Sequence, residues 1–224
     1  MKLAIIGYGK MGRMVEQLAP EYGFTSIVAL DIGDDFAKAV GADAAIEFTT
    51  PDAAVSNIEK LAAMRLPVVV GTTGWLAHMD RARAAIDKNA SALVWSPNFS
   101  VGVNVFLRVV REAARLLADE KEYGAWAWEI HHDTKKDAQS GTILKLVEQM
   151  KAAGYPRNID VSSNRAGRHP GTHEIGFDSA ADTITLRHEA RSREGFARGA
   201  LKAAQWIVGK KGVFEFGDVL FSKR

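Results

Sequence analysis

Apolar and polar positions along this chain follow two different rhythms. Up to Trp95, short apolar runs alternate with stretches of helical spacing. Leu3 to Ile6, Ser26 to Leu30, Ala44 to Phe48, Leu66 to Val70 and Ala92 to Trp95 predict strands, and Arg13 to Ala19 and Asp52 to Met64 predict helices between them. Leu66-Pro67-Val68-Val69-Val70 is apolar throughout, as a strand buried on both faces of a parallel sheet must be. Beyond residue 100 the rhythm changes. Val101 to Ala118 reads as one helix, Ala125-Trp-Ala-Trp-Glu-Ile130 alternates as a strand does, and Ile143 to Met150 carries a helical apolar stripe. His173 to Phe177 and Thr183 to Ala190 flank the turn Asp178 to Asp182, which is the signature of an antiparallel hairpin. The helix Phe196 to Val208 and the tail Val213 to Leu220 then resume the first rhythm. The expected organisation is an α/β parallel-sheet domain of residues 1–101 and 197–224, with an α+β domain of residues 102–196 inserted into it.

Composition narrows the function classes. Twenty-nine Lys and Arg against 27 Asp and Glu give a net charge of +2, with basic residues scattered, so no nucleic-acid surface is expected. No apolar run is long enough to span a membrane, and Gly7 interrupts the first one too early for a signal peptide. The absence of cysteine excludes disulfides and thiol catalysis. A small-molecule enzyme of the cytoplasm is the default reading.

The first turn carries specific chemistry. The loop Gly7-Tyr8-Gly9-Lys10-Met11-Gly12 lies between a strand and a helix, the context a dinucleotide fingerprint needs. Gly7 would make the tight turn, Gly9 admit the pyrophosphate and Gly12 pack helix on strand. Asp31, at the end of the second strand, is placed to bond the adenosine ribose. A Rossmann-type domain follows. A carboxylate repels a 2′-phosphate and no Arg or Lys directly follows Asp31, so NADH is favoured over NADPH, although Lys10 and Arg13 lie within reach of a phosphate. Ligands cross the carboxyl ends of parallel strands, so the turns at Phe48-Thr49-Thr50-Pro51 and at Gly71-Thr72-Thr73-Gly74 are expected to touch the cofactor.

The second chemical stretch is Glu129-Ile-His131-His132-Asp-Thr-Lys135-Lys-Asp137-Ala-Gln-Ser140-Gly141-Thr142. It places a titratable imidazole, a cation and an uncapped helix start close together, at what reads as a strand's exit. Free N–H groups at Ser140-Gly141-Thr142 suit a carboxylate or phosphate, and Lys135 adds countercharge. Asp137, beside two lysines, is expected to be strongly acidic and to fix the loop. Successive strand residues point to opposite faces, so His131 and His132 are not expected to chelate one ion, and no metal is predicted.

Taken in order, Gly7-x-Gly9-x-x-Gly12, Gly71-Thr-Thr-Gly74, Pro97-Asn-Phe-Ser-Val-Gly-Val-Asn104, Glu129-x-His-His-x-x-Lys135-x-Asp137-Ala-x-Ser-Gly-Thr142 and Arg193-x-x-Phe-Ala-x-Gly-Ala200 resemble the motif series of the 4-hydroxy-tetrahydrodipicolinate (dihydrodipicolinate) reductase family across essentially the whole chain. Gln139 and Thr134 depart from the family's usual Pro and His. The resemblance implies hydride transfer from NADH or NADPH to C4 of a cyclic imine dicarboxylate, in lysine and diaminopimelate synthesis. It implies His131 as the proton donor for C3, with an imidazolium near neutral pH, and Lys135 as the charge that assists it. It implies that His132 contacts one substrate carboxylate and that Ser140, Gly141 and Thr142 bind the other. Gly71 and Thr73, with Pro97, Asn98 and Phe99, would hold the nicotinamide, and the subunits would form a homotetramer through their sheets. Sequence alone supports a homo-oligomer. Two rival readings stay open at this point: another nicotinamide enzyme of the same architecture, such as an amino-acid or sugar dehydrogenase, and a dinucleotide sensor that needs neither His131 nor Lys135.

Overall fold

A computed structural model describes residues 1–222. In chain order the elements are β1 (Lys2–Ile6), α1 (Lys10–Leu18), β2 (Ser26–Leu30), β3 (Ala44–Glu47), α2 (Pro51–Ala63), β4 (Val68–Val70), α3 (Met79–Asn89), β5 (Ala92–Trp95), α4 (Val101–Leu116), β6 (Gly124–His131), α5 (Gly141–Ala152), β7 (Ile159–Arg165), β8 (Thr172–Asp178), β9 (Thr183–Glu189), α6 (Glu194–Ile207), β10 (Gly212–Glu215) and α7 (Phe216–Phe221). They form two compact units, Met1–Ser100 with the segment from Glu194 onward, and Val101–Arg193.

The first unit is a six-stranded sheet in the order β10-β5-β4-β3-β1-β2, parallel in every pairing. Period-two alternation divides its core. Leu3 and Ile5 face Val15, Leu18, Ala200, Leu201 and Ile207 on one side, while Ala4 and Ile6 face Val55, Ile58, Leu61 and Ile86 on the other. Helices therefore cover both faces, and β3 and β4 are buried throughout. Thr50, extended, precedes Pro51 at the start of α2, where a missing N–H costs nothing. At α1 the N-cap is Gly9, with no side chain bonding the first-turn N–H groups.

The second unit has a four-stranded sheet in the order β7-β6-β8-β9. β6 runs parallel to β7 and antiparallel to β8, and β8–β9 is the expected hairpin. Phe106 and Val110 of α4 and Ile143, Leu146 and Met150 of α5 pack with Ala127, Ile175 and Phe177 in one core. Trp126 and Trp128 project on the other face of β6, where Trp128 Nε1 donates to Asn164 Oδ1 at 2.6 Å. β7 has no counterpart among the strands read from sequence. As an edge strand it needs only one apolar side, and Ile-Asp-Val-Ser-Ser-Asn-Arg is too polar to signal itself.

Candidate active site

Register builds the centre of the second unit. Glu129 on β6 is paired with Ser163 on β7 and with His173 on β8, and His173 is paired with His188 on β9, so one transverse row crosses all four strands. His131 lies two residues beyond Glu129 on the same face, and Arg165 pairs with it. Ser140, the N-cap of α5, reaches into this row.

The Glu129 carboxylate is fully buried and densely held. Its Oε1 accepts from Ser140 N, Ser163 Oγ and Arg165 Nη2, each at 2.9 Å, and its Oε2 accepts from the Ser140 hydroxyl. Burial alone would raise its pKa, but hydrogen bonds from His173, Ser140 and Arg165 outweigh that and hold it well below the usual carboxylate range. His131 Nδ1 and His173 Nε2 face Glu129 Oε2 at 3.6 and 3.5 Å, with the two rings edge to face and centroids 5.1 Å apart. Both imidazoles are buried.

Two expectations need correction. His131 stands at the strand's exit, as the last residue of β6, but it is only 7% exposed and not charged as expected. Burial first, and then the neighbouring His173, push its pKa down to about 4 against the opposing pull of Glu129, so without a bound anion the ring is neutral at pH 7. Ser140 is not open to a substrate carboxylate. Its backbone N–H and hydroxyl both bond Glu129, and its Oγ also accepts from Ile143 N to cap α5. Gly141, the first residue of the helix, is exposed, and Thr142 is half-buried.

His132 lies across the strand from this row. Its Nδ1 is 2.7 Å from Thr134 Oγ1, and it lines a cavity of about 330 Å³ with Asp133, Gly167, Arg168, Pro170 and Arg193. Lys135 pairs with Asp137 at 2.7 Å, and that bond holds the Asp137 carboxyl below its ordinary value, as the sequence suggested. Arg165 spans the two clusters, bonding Glu129 and donating from Nε to the Asp137 carbonyl at 3.1 Å. The stretch from 131 to 142 thus brings imidazole, ammonium and guanidinium groups together, which fits an anionic ligand.

Gly171 is the close approach in this wall. A Cβ there would stand 2.9 Å from His131 Nε2, and the backbone φ of +147° disfavours a side chain anyway. Gly171→Ala is expected to push the His131 ring aside and lower kcat about 10²-fold with a small change in KM, measured by steady-state kinetics.

In the first unit, a Cβ at Gly7 would lie 2.1 Å from the Phe48 carbonyl oxygen, and one at Gly12 would lie 2.3 Å from the Gly7 carbonyl oxygen. These two glycines serve turn and packing. Gly9 has nothing within 4 Å of such an atom, so open space lies directly over the start of α1. That cradle, with first-turn N–H groups no side chain caps, fits a dinucleotide pyrophosphate. Tyr8 donates its hydroxyl to Glu16, and the Arg13 guanidinium lies 4.8 Å over its ring. Met11 packs on the core. Asp31 is exposed, its Oδ1 accepting from Ile32 N at 2.9 Å. Thr49 N donates to Thr72 Oγ1 at 2.7 Å, and the Phe48 ring fills the space over Gly71, so the turns after β3 and β4 form one floor. The Phe99 ring is buried against Phe216, with centroids 4.8 Å apart, so its side chain packs in the core and only its backbone faces the loop after Pro97. Asn98 Oδ1 accepts from Ser100 N at 2.9 Å, bracing the loop after Pro97.

Sequence reasoning gave no role to Glu129, Ser163 or His173. The spacing of Glu129 and His131 could have found the first, because residues two apart on a strand share a face. Glu129, His131 and His173 also bring three metal-capable atoms within 4.8 Å, which the metal-free expectation did not foresee. The carboxylate is already bonded by Arg165 and Ser140.

Comparison with known proteins bears on both units. Residues 1–99 match the family model described as "Dihydrodipicolinate reductase, N-terminus", and residues 102–220 match "Dihydrodipicolinate reductase, C-terminus". A protein named 4-hydroxy-tetrahydrodipicolinate reductase from Christiangramia forsetii is 36% identical, with 98% of each chain aligned. One of the same name from Archaeoglobus fulgidus is 35% identical over 98% of this chain and 100% of its own. Among solved structures, the dipicolinate-bound dihydrodipicolinate reductase of Paenisporosarcina sp. TG-14 superposes with a TM-score of 0.76 at 21% identity, covering 96% of this chain and 97% of that one, a likeness of fold.

Proposed function

This chain belongs to the dihydrodipicolinate reductase family, and from that premise we propose how its residues carry out the family's reaction. The chain is an NAD(P)-dependent oxidoreductase that reduces 4-hydroxy-tetrahydrodipicolinate to tetrahydrodipicolinate, a step of lysine and diaminopimelate synthesis. The observation that carries the residue assignment is the joining of a buried imidazole, His131, to a cationic rim of Lys135 and Arg165.

When bound, the nicotinamide supplies a hydride to C4 of the cyclic imine. Gly9 and Lys10, in the turn that Gly7 and Gly12 shape, would hold its pyrophosphate, Asp31 its adenosine ribose, and Thr49, Gly71, Thr72, Thr73 and the Pro97–Asn98 turn the remainder. His131 gives a proton to C3, from Nε2. Its neutral state in the free protein means that the proton must be acquired with the substrate, whose two carboxylates offset the burial cost of the imidazolium. Lys135 stabilises the negative charge that develops before protonation. His132, Gly141 and Thr142 bind the substrate carboxylates, with Arg168 and Arg193 supporting the His132 side from the same cavity. Turnover of the fresh condensation product of pyruvate and aspartate semialdehyde, followed through nicotinamide absorbance, tests this reading; an amino acid or polyol turning over in its place would overturn it.

NADH is the preferred reductant. Asp31 is followed by Ile32, which is fully exposed, so no fixed cation meets a 2′-phosphate there. Asp31→Ser combined with Ile32→Arg is expected to move the NADPH-to-NADH ratio of kcat/KM upward by about tenfold or more, read from initial rates with each cofactor. The Trp126 and Trp128 face of the second sheet is the surface we assign to a homotetramer, to be checked by light scattering. No helix among the described residues is long and apolar enough to cross a membrane. A cysteine-free enzyme of biosynthetic reduction is placed in the cytoplasm.

A further inference from the structure

The best-held side chain of the second unit is one to which no chemical role has yet been given. Glu129 is fully buried, yet Ser140, Ser163 and Arg165 all donate to it. Three donors fill Oε1 and the Ser140 hydroxyl alone bonds Oε2, a set that fixes the carboxylate's orientation and leaves Oε2 room for a further donor. The atom it turns toward His131 is Oε2, and the facing His131 Nδ1 is buried without a hydrogen-bond partner. At 3.6 Å the two stand just beyond hydrogen-bond distance, so a small movement of the ring brings an Nδ1–H onto the carboxylate. The other ring nitrogen, Nε2, lies along Gly171, which has no side chain to cover it.

We propose that Glu129 is the positioning residue of the proton donor: its immobilised carboxylate accepts Nδ1–H of the His131 imidazolium and leaves Nε2–H as the proton given to substrate. The inference rests on His131 being the donor. In the step itself, the Nε2–H bond breaks as the C3–H bond forms, and the ring is left neutral with its remaining proton on Nδ1. That is the tautomer Glu129 holds. Solvent then returns a proton to Nε2. The surroundings make the carboxylate necessary: the charged or titratable groups that face the ring from its neighbours are Arg165 on β7, His173 on β8 with His188 behind it on β9, and Lys135 in the following loop. Each disfavours a cation at His131 when charged. Glu129 is the carboxylate that opposes them.

The test is a pair of pH profiles. Glu129→Gln keeps the shape and removes the charge, so kcat should fall about tenfold to hundredfold while KM changes little, and the pH at which kcat declines on the basic side should move down by about one unit or more. Glu129→Asp should restore part of that shift. A purely structural role would lower kcat at every pH and leave the limb where it was, which overturns the proposal. Should the Gln variant not fold, imidazole ¹⁵N resonances of the native protein with pyridine-2,6-dicarboxylate bound give the same answer: His131 with Nδ1 protonated supports the proposal, and a bare Nδ1 sinks it. His131→Gln, run alongside, separates the two levels. If that variant keeps full activity the donor assignment fails; if it is inactive and the Glu129→Gln limb does not move, only the positioning role fails.

Discussion

His131→Gln lowers kcat by about 10²–10⁴-fold, the range a positioned general acid contributes, while NADH binding measured by fluorescence is unchanged. Glutamine can fill much of the imidazole's space in a site that is 7% exposed, so the loss reports the proton and not a collapsed wall. The pH dependence carries more information than the rate. A general acid must be protonated, so the rate falls as pH rises through its pKa. In the free enzyme burial and His173 hold that value at about 4, and kcat/KM, which reports free enzyme, should therefore decline from the acid side of neutrality. In the complex the substrate's carboxylates face the same ring and raise its affinity for a proton, so the decline in kcat should sit at higher pH than the decline in kcat/KM. Coincident limbs, or a His131→Gln variant with native kcat, would remove His131 from the chemistry. Lys135→Ala should act differently, lowering kcat and raising KM together, because its charge meets both the bound substrate and the charge that develops on it.

How far this was legible depended on whether the controlling contact was local. Strand, glycine loop and helix at 2–18 are one continuous signal, and the structure has the same order, with the helix opening at Lys10 where the pattern placed it at Arg13. The same holds for the hairpin around 178–182, where the turn residues and the alternation sit together. The His131 to Thr142 stretch could be recognised because its chemical groups are close in sequence. What escaped is what the sheet assembles. Ser163 and His173 meet Glu129 only through the registers of β7 and β8, and no spacing along the chain encodes a register across a connection of that length. The charge of His131 was misread for the same reason: its environment is set by burial and by His173, which reaches it from another strand. Phe99 was read for function within a loop motif, whereas its partner Phe216 arrives from the far end of the chain.

Glu129→Ala destabilises the second unit by about 3–5 kcal/mol, the cost of removing one partner from a buried ion pair. Arg165 is left with its guanidinium largely out of water, and the donors of Ser140 and Ser163 lose their acceptor, so the N-cap of α5 and the edge strand β7 loosen together. The companion expectation concerns acid. Glu129 has a folded pKa below its unfolded one, so its contribution to stability is present above the unfolded carboxylate value and is lost as pH falls below that value. His131 also has a lowered pKa, but being a base it favours folding in its neutral form; that contribution is complete above the unfolded histidine value near 6.5 and is lost as pH falls toward about 4. His188, pushed down by burial, acts in the same direction. Native protein should therefore lose stability in two stages on acidification, first the histidine window and then the carboxylate window. Urea midpoints across pH, read by the fluorescence of Trp126 and Trp128 with the other tryptophans replaced, resolve the two. Glu129→Ala should keep a histidine stage and lack most of the second; a variant whose acid profile matches the native one would mean that the hydrogen-bonding and ionic contacts around this carboxylate do not hold the unit together.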